Sequence, residues 1–271
     1  MAEPARPLSP VVPVVKVSIP ISILVATFDQ AGYLPQCLDS LLDQRFDAGA
    51  YEIVVVNDGS TDTTADVLAG YVAEHGARLH VAVHDHCRGL AAACNTGLER
   101  ARGAWILRVD SDDWLEPDAL ALLTAAASEH PAAGIVIPDY WVVSGERVTR
   151  ARPALDNLFT WQAGGPLLDR DAVIGAGGYR DLFWEEYDLY LRMLGRGVQA
   201  ARLEAPVLFH RRHPQSMTAG RAARARGWDQ LVEAWPLTTL EQYGSHRALG
   251  RFARTAAATA RAAAAIGGRS A

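Results

Sequence analysis

Cysteine and lysine are both scarce in this sequence. The three cysteines, Cys37, Cys87 and Cys94, are scattered, odd in number and without CxxC spacing. This pattern argues against a disulfide framework and a zinc site, and it favours a reducing cytoplasmic compartment. Lys16 is the only lysine, so almost all of the basic charge is carried by arginine.

Long apolar runs are lacking as well. The apolar stretch 17–28 is too short to span a bilayer, and Pro20 interrupts it. The Pro-rich start of the chain, residues 1–15, has no apolar segment of the kind found in signal peptides. We therefore expect neither a signal peptide nor a transmembrane segment.

The charge balance argues against a nucleic-acid-binding protein. With 31 acidic and 26 basic residues the formal net charge is -5, which argues against nucleic acid as the partner. The 271 residues are 49% hydrophobic, enough for one large domain or for one domain with an appendage.

Short β-branched apolar runs alternate with segments of helical spacing through the first half of the chain. Such alternation predicts a mostly parallel sheet covered by helices on both faces. The predicted strands are 21–26, 51–56, 79–83, 105–109 and 134–138, and the predicted helices lie at 33–44, around 66–71, at 90–101, after Pro117 and after Trp184. A hairpin is predicted over 142–149, and strand and loop over 159–168.

Polar clusters follow three of these strands. They are Thr27-Phe28-Asp29, Asn57-Asp58-Gly59 and the stretch from Asp110 to Asp113. Because ligands of parallel sheets bind beyond the carboxyl ends of the strands, the clusters are expected to converge on one functional site.

The acidic cluster raises an electrostatic question. Asp110, Asp112 and Asp113 lie within four residues of each other, and like charges this close raise one another's pKa unless a cation lies among them. One of them could simply cap the next helix. Three carboxylates favour a divalent ion such as Mg²⁺ or Mn²⁺, which prefers hard oxygen ligands and keeps positions for substrate phosphate.

Two later motifs each have two interpretations. Glu185, Glu186 and Asp188 could stabilise a helix start through the macrodipole, or supply a general base whose pKa is raised by burial. The stretch 210–213, His-Arg-Arg-His, could be a solvated basic loop, or a partner for metal and diphosphate.

The Arg/Ala-rich segment 221–265 is expected to be helical. It could lie as an amphipathic helix on an anionic membrane, or pack on the domain with its arginines in water. Because one face lacks a run of Phe or Leu, packing on the domain is favoured. The expected location is the cytoplasm, with peripheral contact to the inner face of the membrane left open.

Taken together, five segments resemble glycosyltransferase family 2, in that family's order. The resemblance implies the GT-A fold, a Rossmann-like α/β fold, and inverting transfer of a sugar from a nucleotide donor, often UDP-linked, with Mg²⁺ or Mn²⁺. It predicts a Pro-rich tail at 1–18, a transferase domain at 19–218 and C-terminal helices at 219–271. The segments are 22–44, 51–64 (YEIVVVNDGSTDTT), 87–117, 177–197 and 210–218.

The resemblance assigns residues to the nucleotide. By position in the motifs, Thr27, Phe28 and Asp29 match the strand end that holds the nucleobase, and Asp58 matches the residue that contacts the base. Arg88 is predicted to approach the diphosphate or the base. Asp29 stands where the family commonly has Asn.

The resemblance also assigns the metal site. Asp110 and Asp112 match the D-x-D pair, with Asp110 and Ser111 toward the ribose and Asp112 on the metal. His213 matches a late residue that touches metal or diphosphate. Cys94 stands where an Arg often helps to hold the base, so the identity of the nucleotide stays open.

For catalysis, Glu186 matches the family's usual Asp, the base that takes a proton from the acceptor hydroxyl. Asp188, in the same helix start, is the second predicted catalytic residue. The acceptor is a saccharide, a lipid-linked molecule or a small metabolite, and nucleic acid is not expected.

Two other functions remain open at this point. A nucleotidyltransferase also combines a Rossmann-like sheet with carboxylate-held metal, although the first strand here lacks the Gly-rich, Lys-containing loop that usually follows it. A non-catalytic sugar-nucleotide-binding module would keep the pocket but would not need acids at 185, 186 and 188.

Overall fold

A single mixed sheet of nine strands forms the centre of the protein. The computed structural model describes residues 21–247 and 249–250. The predicted tail 1–18 and the end of the C-terminal segment lie outside the described residues. The strands are β1 Ile21–Thr27, β2 Tyr51–Asn57, β3 Leu79–Val83, β4 Trp105–Arg108, β5 Trp114–Leu115, β6 Ala133–Ser144, β7 Arg147–Ala151, β8 Leu167–Asp169 and β9 Gln199–Arg211.

Helices cover both faces of this sheet, as the alternating sequence pattern predicts. In β1, Leu24 faces one apolar cluster whereas Ile23 and Val25 face the other, because successive side chains of a strand point to opposite faces. The helices are α1 Leu34–Leu42, α2 Thr64–His75, α3 Leu90–Arg100, α4 Ala119–Glu129, α5 Arg170–Gly175, α6 Glu185–Gly195, α7 Arg221–Ala234 and α8 Leu237–Gln242.

The predicted strands of the first half form a parallel sheet. Its order is β3-β2-β1-β4, and β1 pairs in parallel with both β2 and β4. All seven residues of β2 are buried, as expected for a strand covered on both faces. The carboxyl ends of β1, β2 and β4 therefore meet at one edge, which confirms the expected convergence of the polar clusters.

The second half of the sheet is mixed, which differs from the mostly parallel sheet that the pattern predicts. Beyond β4 come β8, β6, β9 and β5, and β7 pairs with β6. Antiparallel pairing joins β8 to β4 and β6, β7 to β6, and β5 to β9, whereas β6 and β9 run parallel. The predicted hairpin over 142–149 is present, with Gly145 at positive φ in its turn.

The helices α7 and α8 pack on the domain, which was the favoured interpretation of the Arg/Ala-rich segment. Trp228 and Leu231 of α7 and Leu240 of α8 are buried in the same apolar cluster as α6. The division between the domain and its C-terminal helices at 218 stays a prediction. Within the described part of the chain, no helix is both long enough and apolar enough to cross a membrane.

Candidate active site

A large cleft of about 1770 Å³ opens at the carboxyl ends of the parallel strands. Its walls come from the ends of β1, β2 and β4, the start of α6, the end of β9 and one face of α7. Seven of the predicted nucleotide-binding and metal-binding residues line the cleft: Thr27, Phe28, Asp58, Asp110, Ser111, Asp112 and His213. Glu186 lines the same cleft.

The β1 end of the cleft carries polar atoms without partners. Thr27 is 2% exposed, and among the described residues nothing hydrogen-bonds its Oγ1; the buried Oε1 of Gln30 is likewise without a partner. Phe28 stands beside them with 41% of its surface exposed. Because buried polar groups in folded proteins are normally paired, these atoms fit a site that a polar ligand completes.

Asp58 organises the loop between β3 and α3. Its Oδ1 lies 2.6 Å from His84 Nδ1 and accepts from the backbone N–H of Arg88, while its Oδ2 accepts from the thiol of Cys87 and the N–H of Gly89. Burial opposes ionisation of Asp58, but these hydrogen bonds together lower its pKa. The carboxylate is thus ionised and already occupied, so a nucleobase would contact it by displacing a donor such as Cys87.

The acidic cluster contains a cation of its own, which sequence reasoning missed. Arg108, at the end of β4, is 4% exposed and donates through Nε to Asp110 Oδ1 at 2.8 Å and through Nη1 to Glu185 Oε1 at 2.7 Å. Asp110 therefore has a positive partner inside the protein, and whether it also approaches a divalent ion stays a prediction. The same bridge ties the D-x-D turn to the start of α6.

Asp113 is held by a different partner. It is 1% exposed, its Oδ2 lies 3.2 Å from His210 Nδ1, and its Oδ1 accepts from the backbone N–H of Arg211. Burial raises the pKa of Asp113 to about 6, against the opposing effect of His210. Asp113 thus fastens β9 to the turn after β4.

Asp112 and His213 form the pair with the geometry of a metal site. His213 Nε2 lies 2.8 Å from Asp112 Oδ2, and His213 Nδ1 lies 3.1 Å from Gln215 Oε1. If Nδ1–H donates to Gln215, then Nε2 either carries a second proton and forms an ion pair with Asp112, or turns its lone pair to a cation that both side chains bind. Adjacent ligands of an octahedral Mg²⁺ ion are roughly 3 Å apart, and a metal-bound His usually donates its other N–H in this way.

These two side chains fit a divalent ion that takes its other ligands from substrate. In the part of the chain that the structure describes, no three His, Cys, Asp or Glu side chains come together as a metal cage. A two-ligand site suits Mg²⁺ or Mn²⁺, which are commonly held by one or two protein groups together with phosphate oxygens.

Glu186 is placed as a proton acceptor requires. It is 8% exposed, lines the cleft, and has no hydrogen-bonding side-chain partner among the described residues. Burial raises the pKa of Glu186 well above its ordinary value, and the charge of Glu185 adds to this, while Arg108 opposes it. A carboxyl group that is buried and unpaired beside a cleft suits proton transfer.

Asp188 does not share this position, so its predicted catalytic role is corrected. It is 0% exposed and does not line the cleft. Its Oδ2 accepts from Arg192 Nε at 2.8 Å and its Oδ1 from Trp235 Nε1 at 2.9 Å. One helical turn separates Asp188 from Arg192, so the pair locks α6 and anchors the segment after α7.

We expect Asp188→Asn to reduce stability more than catalysis. The substitution leaves Arg192 buried without its counter-charge, and breaking a buried pair in this way typically costs roughly 3 kcal/mol or more. Chemical denaturation measures the loss. The matched control is Asp171→Asn, whose carboxylate is 89% exposed beside Arg170 and should contribute almost nothing. Equal losses in the two variants would contradict this role.

Two predicted nucleotide contacts also lie elsewhere. Asp29 has a φ of 51°, and its carboxylate accepts from the backbone N–H groups of Thr61 and Asp62, so it fastens β1 to the turn after β2. The side chain of Arg88 is exposed, and neither residue lines the cleft. Their short loops turn these side chains outward, which a motif match could not reveal.

Comparison with known proteins identifies the fold and the family. A family model described as Glycosyl transferase family 2 matches residues 22–185, more than half of the 271 residues. The chain belongs to glycosyltransferase family 2. The matched range ends at the first residue of α6, so Glu186, His213 and α7 lie outside it.

A curated relative agrees with this membership. A PGL/p-HBAD biosynthesis glycosyltransferase of Mycobacterium bovis (strain BCG / Pasteur 1173P2) is 38% identical over 119 residues, which are 44% of this chain and 45% of that protein. The chain spans less than half the length of the curated relatives that it matches first.

Two solved structures resemble this glycosyltransferase family 2 chain in fold. One is S. aureus TarS 1–349 in complex with UDP-GlcNAc, with a TM-score of 0.66 and 18% identity over 83% of this chain and 71% of that one. The other is the mannosyltransferase PcManGT from Pyrobaculum calidifontis in complex with GDP-Man and Mn²⁺, with a TM-score of 0.65 and 18% identity over 88% of this chain and 79% of that one. At this identity the likeness establishes the fold, which is GT-A as expected.

Proposed function

We propose that this protein is a metal-dependent, inverting glycosyltransferase that moves a sugar from a nucleotide-sugar donor to an acceptor hydroxyl. The observation that carries the proposal is the placement of Glu186. Its carboxyl group is buried, lacks a side-chain partner among the described residues, and lines the same cleft as Asp112 and His213.

In this proposal the β1 end of the cleft receives the nucleotide. Thr27 and Phe28 hold the base, with Gln30 beside them, and Asp110 and Ser111 lie toward the ribose. Support comes from the unpaired oxygens at this end and from the fixed orientation of Asp110 on Arg108. UDP is the favoured nucleotide by resemblance, although the two similar solved structures hold UDP-GlcNAc and GDP-Man.

Asp112 and His213 would hold the divalent ion, Mn²⁺ or Mg²⁺. When bound, the ion supplies positive charge to the diphosphate leaving group. Glu186 accepts the proton of the acceptor hydroxyl as the new bond forms at the anomeric carbon, and the nucleoside diphosphate leaves from the opposite face. The buried Arg108 holds Asp110 and Glu185 by charge-assisted hydrogen bonds, so that these acids compete less for the ion.

Product analysis tests this function against its two alternatives. With Mn²⁺ and nucleotide sugars such as UDP-GlcNAc and GDP-mannose, a transferase releases nucleoside diphosphate. Pyrophosphate release from a sugar phosphate and a nucleoside triphosphate would instead indicate a nucleotidyltransferase. Donor binding without any release would indicate a non-catalytic module, and the proposal would then fail.

We expect Thr27→Val to weaken donor binding without harming the fold. Valine has nearly the same shape, and no hydrogen bond to Thr27 Oγ1 is lost among the described residues, so the free energy of unfolding should stay within about 0.5 kcal/mol or rise. The donor dissociation constant should increase about 5- to 10-fold, because the ligand loses one buried hydrogen bond.

The control for this prediction is Thr124→Val in α4, away from the cleft. Isothermal titration calorimetry of both variants with Mn²⁺ and the same donor separates the two sites. Unchanged affinity in Thr27→Val, together with unchanged stability, would remove Thr27 from the nucleotide site.

The acceptor class and the cellular location remain predictions in this proposal. A saccharide, a lipid-linked molecule or a small metabolite would each present the required hydroxyl. The cytoplasm is favoured by the scarce, unpaired cysteines, with contact to the inner face of the membrane left to experiment.

A further inference from the structure

The wall of the cleft beyond Glu186 is aromatic. Trp184 and Tyr187 flank Glu185 and Glu186, and their rings stack with centroids 5.5 Å apart. The ring of Trp228, from α7, lies 5.7 Å from that of Trp184. These three rings, which we call the aromatic shelf, all line the cleft. Tyr187 and Trp228 are 9% and 5% exposed, whereas Trp184 is partly exposed, so the ring of Trp184 presents the surface that suits the apolar face of a sugar ring.

Arginines stand around this shelf. In α7, Arg221, Arg224, Ala225 and Trp228 line the cleft, and their spacing of three, four and seven residues places them on one helix face. Arg247 lines the cleft too and directly follows His246, whose ring stacks on Trp228 at 4.4 Å.

These guanidiniums have no counter-charge among the described residues. Two more arginines, Arg152 and Arg212, also line the cleft. None of these five guanidiniums is within 4.0 Å of a carboxylate of the described residues. Arg224 donates to the carbonyl oxygens of Thr218 and Ala219, which orient its guanidinium without neutralising it.

The proposed donor does not account for this charge. A divalent ion balances the charge of the diphosphate, and the carboxylate of Asp112 has His213 as its partner at 2.8 Å. Among the other carboxylates of the cleft, Asp58 pairs with His84, and Asp110 and Glu185 share Arg108. Glu186 lies within 4.0 Å of no basic side chain of the described residues. Arg221, Arg224 and Arg247 are therefore available to bind the acceptor. The acceptor hydroxyl must reach Glu186, which lies beside the shelf.

We propose that the acceptor is an anionic saccharide, whose sugar ring packs on the aromatic shelf while a phosphate or carboxylate group binds Arg221, Arg224 and Arg247. The guanidinium fork matches both anions, because each offers paired oxygens. This inference rests on the proposed function, since it takes Glu186 as the residue that receives the acceptor proton.

Binding of matched neutral and charged probes tests the proposal. The full chain is loaded with Mn²⁺ and one equivalent of UDP, which fills the donor diphosphate site and leaves no excess anion to compete for the arginines. Calorimetry then compares methyl glucoside with glucose 6-phosphate and glucuronate, and a polyprenol-linked N-acetylglucosamine with its polyprenyl diphosphate counterpart. The three charged arms distinguish a sugar phosphate, a uronic acid and a lipid-linked diphosphate as the source of the anion.

The charged member of at least one pair should bind about 10-fold more tightly than the neutral one, and the preference should shrink as salt is added. Arg221→Gln, and Arg221→Gln combined with Arg224→Gln, should reduce it. The control is Arg226→Gln, an exposed position of α7 that does not line the cleft. Because Arg221 is exposed, its single variant tests the idea even if the double variant folds poorly.

Three results would overturn the anionic acceptor: equal binding of every pair, no binding of any charged probe, or a preference that Arg226→Gln reduces as much as Arg221→Gln. Failure of the anionic acceptor can be distinguished from failure of the proposed transferase function. Nucleoside diphosphate release from a donor, with no preference for charged probes, would leave the transferase in place and remove only the anionic acceptor.

Discussion

Glu186→Gln should lower kcat about 1000-fold while the protein stays folded and binds donor normally. The carboxamide has the shape of the carboxyl group but cannot accept the proton of the acceptor hydroxyl. Removal of a general base typically lowers the rate roughly 100- to 10,000-fold. The carboxyl group of Glu186 accepts a hydrogen bond from its own backbone N–H, which a carboxamide oxygen can also accept, so the substitution should leave the fold intact. Steady-state transfer rates and a donor titration measure the two effects separately.

The matched variant is Glu186→Asp, which restores the residue that the family usually has at this position. It should keep activity within about 10-fold, because the proton acceptor is retained and only moved back by one methylene. If Glu186→Gln kept more than a tenth of the wild-type kcat, another group would have to be the base.

The pH dependence of kcat/KM also tests the assignment of Glu186 as the base. Burial, reinforced by the charge of Glu185, raises the pKa of Glu186 above its ordinary value of 4.5. A base works in its ionised form, so kcat/KM should increase with pH and level off only above this raised pKa. An acidic limb centred near pH 4.5 would contradict the burial of the catalytic carboxyl group.

The strands could be predicted from the sequence where a run of apolar residues was enough to identify them. The strands β1, β2 and β4 are mostly apolar and mostly buried, so their burial is visible in their composition. By contrast, β9 carries Arg202, Glu204, His210 and Arg211, and the sequence pattern predicts no strand there. Its pairing with β6, which begins at Ala133, depends on contacts between residues far apart in sequence.

The sequence predicted which residues share the cleft, but it did not predict the ion pairs between them. Motif order brought Thr27, Asp58, Asp112 and Glu186 to one cleft, as the structure shows. Arg108 was missed although its position offered a signal, namely a charged residue inside an otherwise apolar strand directly before the acidic cluster.

Side-chain direction accounts for the other differences. Asp188 lies two residues from Glu186, but in a helix such neighbours do not face the same way. Asp188 therefore points to Arg192, one turn later on its own side of α6. A motif match assigns both acids to the site, and only the helix geometry separates them.

The metal proposal predicts the second large effect. Asp112→Asn should weaken Mn²⁺ binding in the presence of a nucleoside diphosphate and lower kcat/KM at least about 100-fold, because a neutral amide cannot replace the negative ligand and the leaving group loses its counter-charge. Electron paramagnetic resonance measures the Mn²⁺ affinity independently of turnover. His213→Gln should have a smaller effect of about 10-fold, since a neutral ligand is lost.

The alternative explanation of this pair is a simple ion pair, with a proton rather than a metal between Asp112 Oδ2 and His213 Nε2 at 2.8 Å. In that case wild-type activity would be insensitive to EDTA, and Asp112→Asn would leave Mn²⁺ binding unchanged. The control, Asp118→Asn, removes a half-exposed carboxylate that pairs with Arg45 away from the cleft, and it should change neither quantity. An Asp112 variant that matched this control in both measurements would require a mechanism without metal, with the cationic side chains stabilising the leaving diphosphate.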